Sequence, residues 1–148
     1  MLVLIQRVKK AEVIVANESV AHIDKGLLLF VGVCKDDSSK DAVCLAKKIA
    51  NLRIFSDAQE KMNLNIHQTG GEILSVSQFT LYANTQHGNR PGFDAAACGE
   101  SANKLWETLN QELETNSLVV KKGVFAADMD VQLINNGPVT ILLDSKKK

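Results

Sequence analysis

The chain has 148 residues, 45% hydrophobic and 23% charged, with 17 basic and 17 acidic side chains and no formal net charge. That is one domain's worth of sequence, long enough to bury a core without disulfide or metal staples and too apolar to stay disordered. Zero net charge argues against a protein that grips nucleic acid over its whole surface and leaves only local patches for such a role, at Lys9-Lys10, Lys47-Lys48, Lys121-Lys122 and Lys146-Lys147-Lys148.

Residues 2–8 and 11–15 are aliphatic and β-branched and read as strands, and Ala16-Asn17-Glu18 turns the chain into another near Ser19–Ile23. Gly26 leads into Leu27-Leu28-Leu29-Phe30-Val31-Gly32-Val33, an unbroken apolar run of the kind a strand buried on both faces shows. Ser38-Ser39-Lys40-Asp41 matches a capping box, and Ala42, Leu45, Ala46, Ile49 and Leu52 follow at helical spacing. Ser56 to Gly71 is polar and turn-rich, a connection long enough to suggest a functional role. Glu72–Leu81 reads as a strand, and Asn84–Gly92 as a loop carrying Gly88, Arg90 and Pro91. Ala95–Leu113 fits a helix with Cys98, Ala102, Leu105, Trp106, Leu109 and Leu113 on one face. Three strands close the chain, Leu118–Val120, Met129–Ile134 and Val139–Leu143, and the lysine tail from Ser145 is expected to fray. This order of elements predicts an α+β or layered α/β domain.

Cys34, Cys44 and Cys98 are odd in number and show no C-x-x-C spacing, the pattern of free, mostly buried thiols in a reducing compartment. Gln6, Arg7, Lys9 and Lys10 interrupt the apolar start, so it does not read as a signal peptide, and Leu27–Val33 is far too short for a membrane span. The expectation is a soluble, cytoplasmic protein.

Much chemistry is missing. There is no G-x-S-x-G elbow, Walker loop or dinucleotide fingerprint. His22, His67 and His87 are too scattered for a zinc site, and no metal or organic cofactor is expected. As nucleophiles, Cys34 and Cys98 lack an activator and Cys44 lies mid-helix. Ser77 and Thr80 remain, in Ser77-Gln78-Phe79-Thr80-Leu81, but no His, Lys or carboxylate in that segment could act as their base. A regular strand points Ser77 and Phe79 one way, Gln78 and Thr80 the other. If Ser77 and Thr80 serve one pocket, the strand must bend there, freeing the N–H groups of Phe79 and Thr80 for an oxyanion. Otherwise they are ordinary strand hydroxyls. Asn136-Gly137 is a hairpin-turn signal, and Gly137-Pro138 presents carbonyl oxygens and little else. Read alone, Arg7 is an outward-facing charge among aliphatics and Phe125 a core residue.

Leu4-Ile5-Gln6-Arg7-Val8, Arg53-Ile54-Phe55-Ser56-Asp57, Lys61-Met62-Asn63-Leu64, Ser77-Gln78-Phe79-Thr80-Leu81, Arg90-Pro91, Gly123-Val124-Phe125-Ala126-Ala127-Asp128-Met129 and Asn136-Gly137-Pro138-Val139-Thr140 occur in one order from end to end. Together they resemble the D-aminoacyl-tRNA deacylases, also called D-tyrosyl-tRNA deacylases. The resemblance implies a single domain over 1–148 with a layered α/β/β fold: two packed, mainly antiparallel sheets with two main helices on one side, assembled as a homodimer. It implies hydrolysis of the ester between a D-amino acid and the 3′-terminal ribose of tRNA, extending to glycyl-tRNA, with no cofactor. Ser77, Gln78, Phe79 and Thr80 become the catalytic segment. Gly137-Pro138, cis in the family, would enter the partner subunit's active site as a wall against one enantiomer. Arg7 would anchor that loop, Phe125 and Met129 would bind substrate, Phe125 by packing on the terminal adenosine, and Arg90 would contact phosphate. Ala126 departs from the glycine of many relatives. Two mechanisms stay open: backbone amides with the substrate's ribose hydroxyl, or attack by the Thr80 hydroxyl to form an acyl-enzyme. Two other functions stay open as well: a dimeric nucleic-acid-binding module of the same fold without deacylase activity, and a small-ester hydrolase.

Overall fold

A computed structural model describes residues 1–147; Lys148, the last of the terminal lysine patch, lies outside the described residues. The two N-terminal apolar stretches form one long strand, β1 (Leu2–Val15), followed by β2 (Glu18–Ile23) and β3 (Gly26–Gly32). Next come α1 (Ser39–Asn51), the short strands β4 (Phe55–Ser56) and β5 (Met62–Leu64), the one-turn helix α2 (Ile66–Thr69) and β6 (Glu72–Ser77). A 3₁₀ turn (Phe79–Tyr82), α3 (Gly99–Thr115), β7 (Val120–Lys122) and β8 (Asp130–Asp144) complete the chain.

Two sheets share β1 and β8. One edge of β1 is antiparallel to β8 along nearly its whole length; the other pairs antiparallel with β3 over Leu2–Val8 and with β2 over Ala11–Val15. Beyond β3, β6 and β7 add in parallel. The first sheet therefore runs β8-β1-β3-β6-β7 and the second β8-β1-β2. At exposed Lys9-Lys10, β1 changes the face it buries. Val3 and Ile5 join Leu27, Leu29, Val31 and Ile73 under α1 and α3, whereas Val8, Ala11 and Val13 meet Leu28, Leu74 and Val76 between the sheets. Helices, first sheet and second sheet form three layers, the α/β/β arrangement that the resemblance implies. The apolar run of β3 is buried on both sides, as its pattern predicts.

Several boundaries differ from the sequence reading for local reasons. α3 starts at Gly99, not Ala95, because the backbone before it extends β3's edge: Lys35 N donates to Ala95 O (3.1 Å) and Ala97 N to Val33 O (2.8 Å). Cys98 consequently caps the helix and is exposed, as is Cys44, while Cys34 is half-buried; the expected burial of the thiols does not hold. The polar stretch after Ser56 is largely structured. Asp57 Oδ1 accepts from Gln59 N (2.9 Å) and Lys61 N (3.0 Å) to close the β4–β5 ribbon, and Asn65 Oδ1 caps α2 by accepting from Gln68 N (3.1 Å). The strand expected at Leu118–Val120 begins at Val120, and the last two predicted strands are one, β8. As far as Lys147 the tail is tied down, not frayed: Ser145 N donates to Met1 O (2.9 Å), and Lys146 Nζ donates to Asp41 Oδ1 (2.9 Å). No helix among the described residues is long and apolar enough to cross a membrane.

Candidate active site

β6 ends at Ser77 and the chain bends. Gln78 N makes a last bond to Val31 O (2.7 Å), after which Leu81 N donates to Gln78 O (3.3 Å) and Ala83 N to Thr80 O (3.0 Å). Gly32 on the adjacent strand leaves room for the bend, since a Cβ there would sit 3.1 Å from Leu81 Cβ and 3.2 Å from Gln78 O. The amides of Phe79 and Thr80 open the turn, where a helix has no internal acceptors. Neither has a hydrogen-bond partner among the described residues. Thr80 Oγ1 accepts from Gln78 Nε2, and no imidazole, amine or carboxylate bonds it among the described residues. Phe79 is 54% exposed and meets Phe93 edge-on, ring centres 5.0 Å apart. Burial, followed by the charge of Asp37, pushes the Tyr82 phenol pKa up and keeps the group protonated.

The Asn136-Gly137 segment is not a hairpin turn but a bulge inside β8. Gln6 pairs with Thr140 and Val8 with Asn135, so Arg7 alone stands opposite Asn136, Gly137, Pro138 and Val139. Arg7 is 7% exposed, correcting its reading as an outward charge. Its Nε donates to Asn136 O (3.3 Å), Nη1 to Ile54 O (2.6 Å) and Nη2 to Asn136 Oδ1 (3.4 Å). From the other side Asn135 Nδ2 donates to Arg7 O and Val139 O, both at 3.1 Å. Val139 is buried, whereas Gly137 and Pro138, joined by a cis peptide bond, project into solvent. The sequence reading did not single out Asn135; a second amide beside Asn136 carried no turn signal of its own.

A third segment runs past the end of β6. Gly123 N donates to Ser75 O (2.9 Å), and a Cβ on Gly123 would lie 2.8 Å from Met129 Sδ. Ala126 takes a positive φ of 61°, a conformation that favours glycine, and Ala127 N closes the turn on Val124 O (3.2 Å). Half-buried Phe125 packs on the helix-side core with its ring centre 5.9 Å from that of Trp106, while Met129 packs between the sheets. Arg90 sits exposed in a loop closed by paired bonds between Asn84 and Gly92 at 2.8 and 2.9 Å, without an ion pair among the described residues.

The structure thus ties the start of the Gly123–Met129 segment to Ser75, two residues before Ser77, and keeps the Gly137-Pro138 bulge apart. The bulge is level with Arg7, Leu27 and Ile73, whereas Ser77 is level with Val31 and Val3. At ordinary strand dimensions this places them about 13 Å apart along the strands and about 14 Å across them. A cavity of ≈ 550 Å³ among Lys10, Glu12, His22, Asp24, Gln132 and Ile134 contains none of these residues; one of ≈ 320 Å³ touches Met129. No group of three or more His, Cys, Asp or Glu among the described residues is arranged to hold a metal.

A family model described as D-Tyr-tRNA(Tyr) deacylase matches residues 4–144. A solved structure described as c-Myc DNA unwinding element binding protein is 35% identical over 97% of this chain and 98% of its own, with a TM-score of 0.91. Another, described as a probable eukaryotic D-amino acid tRNA deacylase, matches 96% of this chain and 97% of its own with a TM-score of 0.80; at 14% identity it speaks to the fold alone. With the family model spanning nearly the whole sequence and its motif segments gathered at the end of β6 and on the β8 bulge, the chain belongs to the D-Tyr-tRNA(Tyr) deacylase family.

Proposed function

We propose that this member of the family hydrolyses D-aminoacyl-tRNA in a site built from two copies of the chain, using backbone groups and the substrate's own ribose. Water adds to the ester carbonyl, and the resulting oxyanion is held by the N–H groups of Phe79 and Thr80. The bond between the carbonyl carbon and the 3′ oxygen breaks, the 3′ oxygen takes one of the water's protons relayed through the neighbouring 2′ hydroxyl, and the D-amino acid leaves as its carboxylate, the water's other proton passing to solvent. The two unpaired amides at the start of the 3₁₀ turn carry this reading. Each such donor is worth about 10²–10³ in rate. In the alternative, Thr80 would attack covalently, but its oxygen already accepts from Gln78 and has no base beside it.

Handedness would come from Gly137-Pro138. The pair has no side chain on one residue and no N–H on the other, so a substrate meets carbonyl oxygens and a rigid ring. Such a wall excludes a side chain on one face of the α-carbon and leaves room on the other, so glycyl-tRNA would also fit. Its distance from Ser77 in one chain favours a wall supplied by a partner subunit. The outer edge of β8 pairs with no strand among the described residues, and Ile134 and Leu142 on it are exposed, which suits a homodimer interface. Phe125 and Met129 would hold the terminal adenosine, Arg90 a phosphate, and the working compartment would be the cytoplasm. The 35%-identical relative's name speaks of DNA binding. A module that only binds nucleic acid would have no use for free amides beside an aromatic turn or for a backbone wall, which favours the deacylase.

Subunit mixing tests the shared site. Phe79→Pro removes one oxyanion donor. Gly137→Phe should be tolerated within its own chain, where an added Cβ would meet Asn135 Oδ1 at an ordinary 3.6 Å and Gly137 is exposed, but would fill the partner's pocket. Each variant alone should be nearly inactive. A co-refolded equal mixture should recover about a quarter of wild-type activity, because half the dimers are mixed and each mixed dimer holds one intact site. No recovery from folded, mixed dimers would rule out a wall supplied in trans.

A further inference from the structure

We propose that Trp106, on α3 and remote from the motif segments in sequence, is a positioning residue that sets how Phe125 meets the terminal base. The inference rests on the reading of Phe125 as the adenosine contact. Trp106 is 2% exposed, and its Nε1 donates to Ser75 Oγ at 2.9 Å; Ser75 is fully buried on β6, two residues before Ser77. The same serine's backbone oxygen accepts from Gly123 N at 2.9 Å, so one residue fixes both the indole and the start of the Phe125 turn. The Trp106 and Phe125 rings meet at 5.9 Å with a 35° tilt, and Phe125 stays half-buried, part of it open to solvent. An aromatic residue that stacks on a base must be held against rotation about its own side-chain bonds. Here the indole supplies that hold, and the hydrogen bond to Ser75 fixes the indole.

Ser75→Ala leaves the indole N–H buried without its acceptor and frees the ring to turn. KM for D-aminoacyl-tRNA should rise about 5- to 10-fold, the worth of one net hydrogen bond. The kcat should stay within about twofold, because the oxyanion amides are untouched. Ser75→Thr keeps the hydroxyl in a strand that accepts β-branching and should restore KM. Trp106 is the chain's single tryptophan, so its emission reports on this contact directly. Titrating the unmodified dimer with a non-hydrolysable 3′-D-alanylamino-3′-deoxyadenosine should shift indole emission saturably, with the same midpoint as calorimetry. A lowered melting temperature for Ser75→Ala with unchanged KM would reduce the pair to a core contact and overturn the inference. So would calorimetric binding without any change in emission, which would leave the deacylase reading standing. If the mimic does not bind the unmodified dimer at all, both readings fall together.

Discussion

In the proposed mechanism Phe79 acts through its amide and Thr80 through the amide behind its hydroxyl, which inverts the usual reading of a Ser/Thr-bearing motif. Thr80→Ala should therefore keep activity within about tenfold of wild type, whereas Phe79→Pro should lose about 10²–10³, the cost of one oxyanion donor. A substrate ending in 2′-deoxyadenosine should be cleaved poorly by the unmodified enzyme. A folded, tRNA-binding Thr80→Ala protein that is dead, together with normal cleavage of the deoxy substrate, would establish covalent attack by threonine instead. The bend behind this prediction was legible only as a condition: the segment reads as a strand through Leu81, and two hydroxyls of opposite strand parity could share a pocket only if it bent, as it does after Ser77. Arg7 was not legible from its neighbours. Its acceptors, Asn136 O and Ile54 O, lie far along the chain, and a guanidinium buried by satisfying carbonyls looks in one dimension like any charge in a strand.

Elements with a local signal, such as β3 and α1, were readable from the sequence. Asn136-Gly137 misled because a turn signal gives the local backbone bend and not its context: held by Arg7 and Asn135, the bend becomes a bulge and β8 runs on through it. The tail misled for the opposite reason. Lysines at a terminus usually fray, but Lys146 reaches the start of α1. Burial opposes the ionisation of Asp41, yet hydrogen bonds from Lys146, Ser38 and Ser145 outweigh it and hold the carboxyl well below its ordinary value. A carboxylate lowered on folding stabilises the protein above its unfolded pKa, and that contribution is lost as pH falls toward the folded value. Wild type should therefore lose melting temperature more steeply than Asp41→Asn on acidification from about pH 4, the ordinary aspartate range, with the two curves converging. Parallel curves would show that the clasp adds nothing.

Within one chain, the strands that carry Ser77 and Gly137-Pro138 also keep them apart. β1 feeds both sheets, and the bulge sits where β8 passes from one sheet to the other, well away from the end of β6. This three-layer arrangement came from the family resemblance and not from periodicity. Periodicity marks which residues are buried, but both cores bury aliphatics alike, and nothing local says that β1 serves two sheets. The proposed site, completed across two chains, would make handedness depend on a backbone wall, and handedness is the property to measure. Purified dimer should be given D-tyrosyl-tRNA and L-tyrosyl-tRNA in parallel, and the free tyrosine released from each should be followed over time. Rapid release from the D-ester with the L-ester nearly untouched is the expected result. Comparable rates on both would contradict a chirality wall at Gly137-Pro138, and no release from either would contradict the deacylase itself.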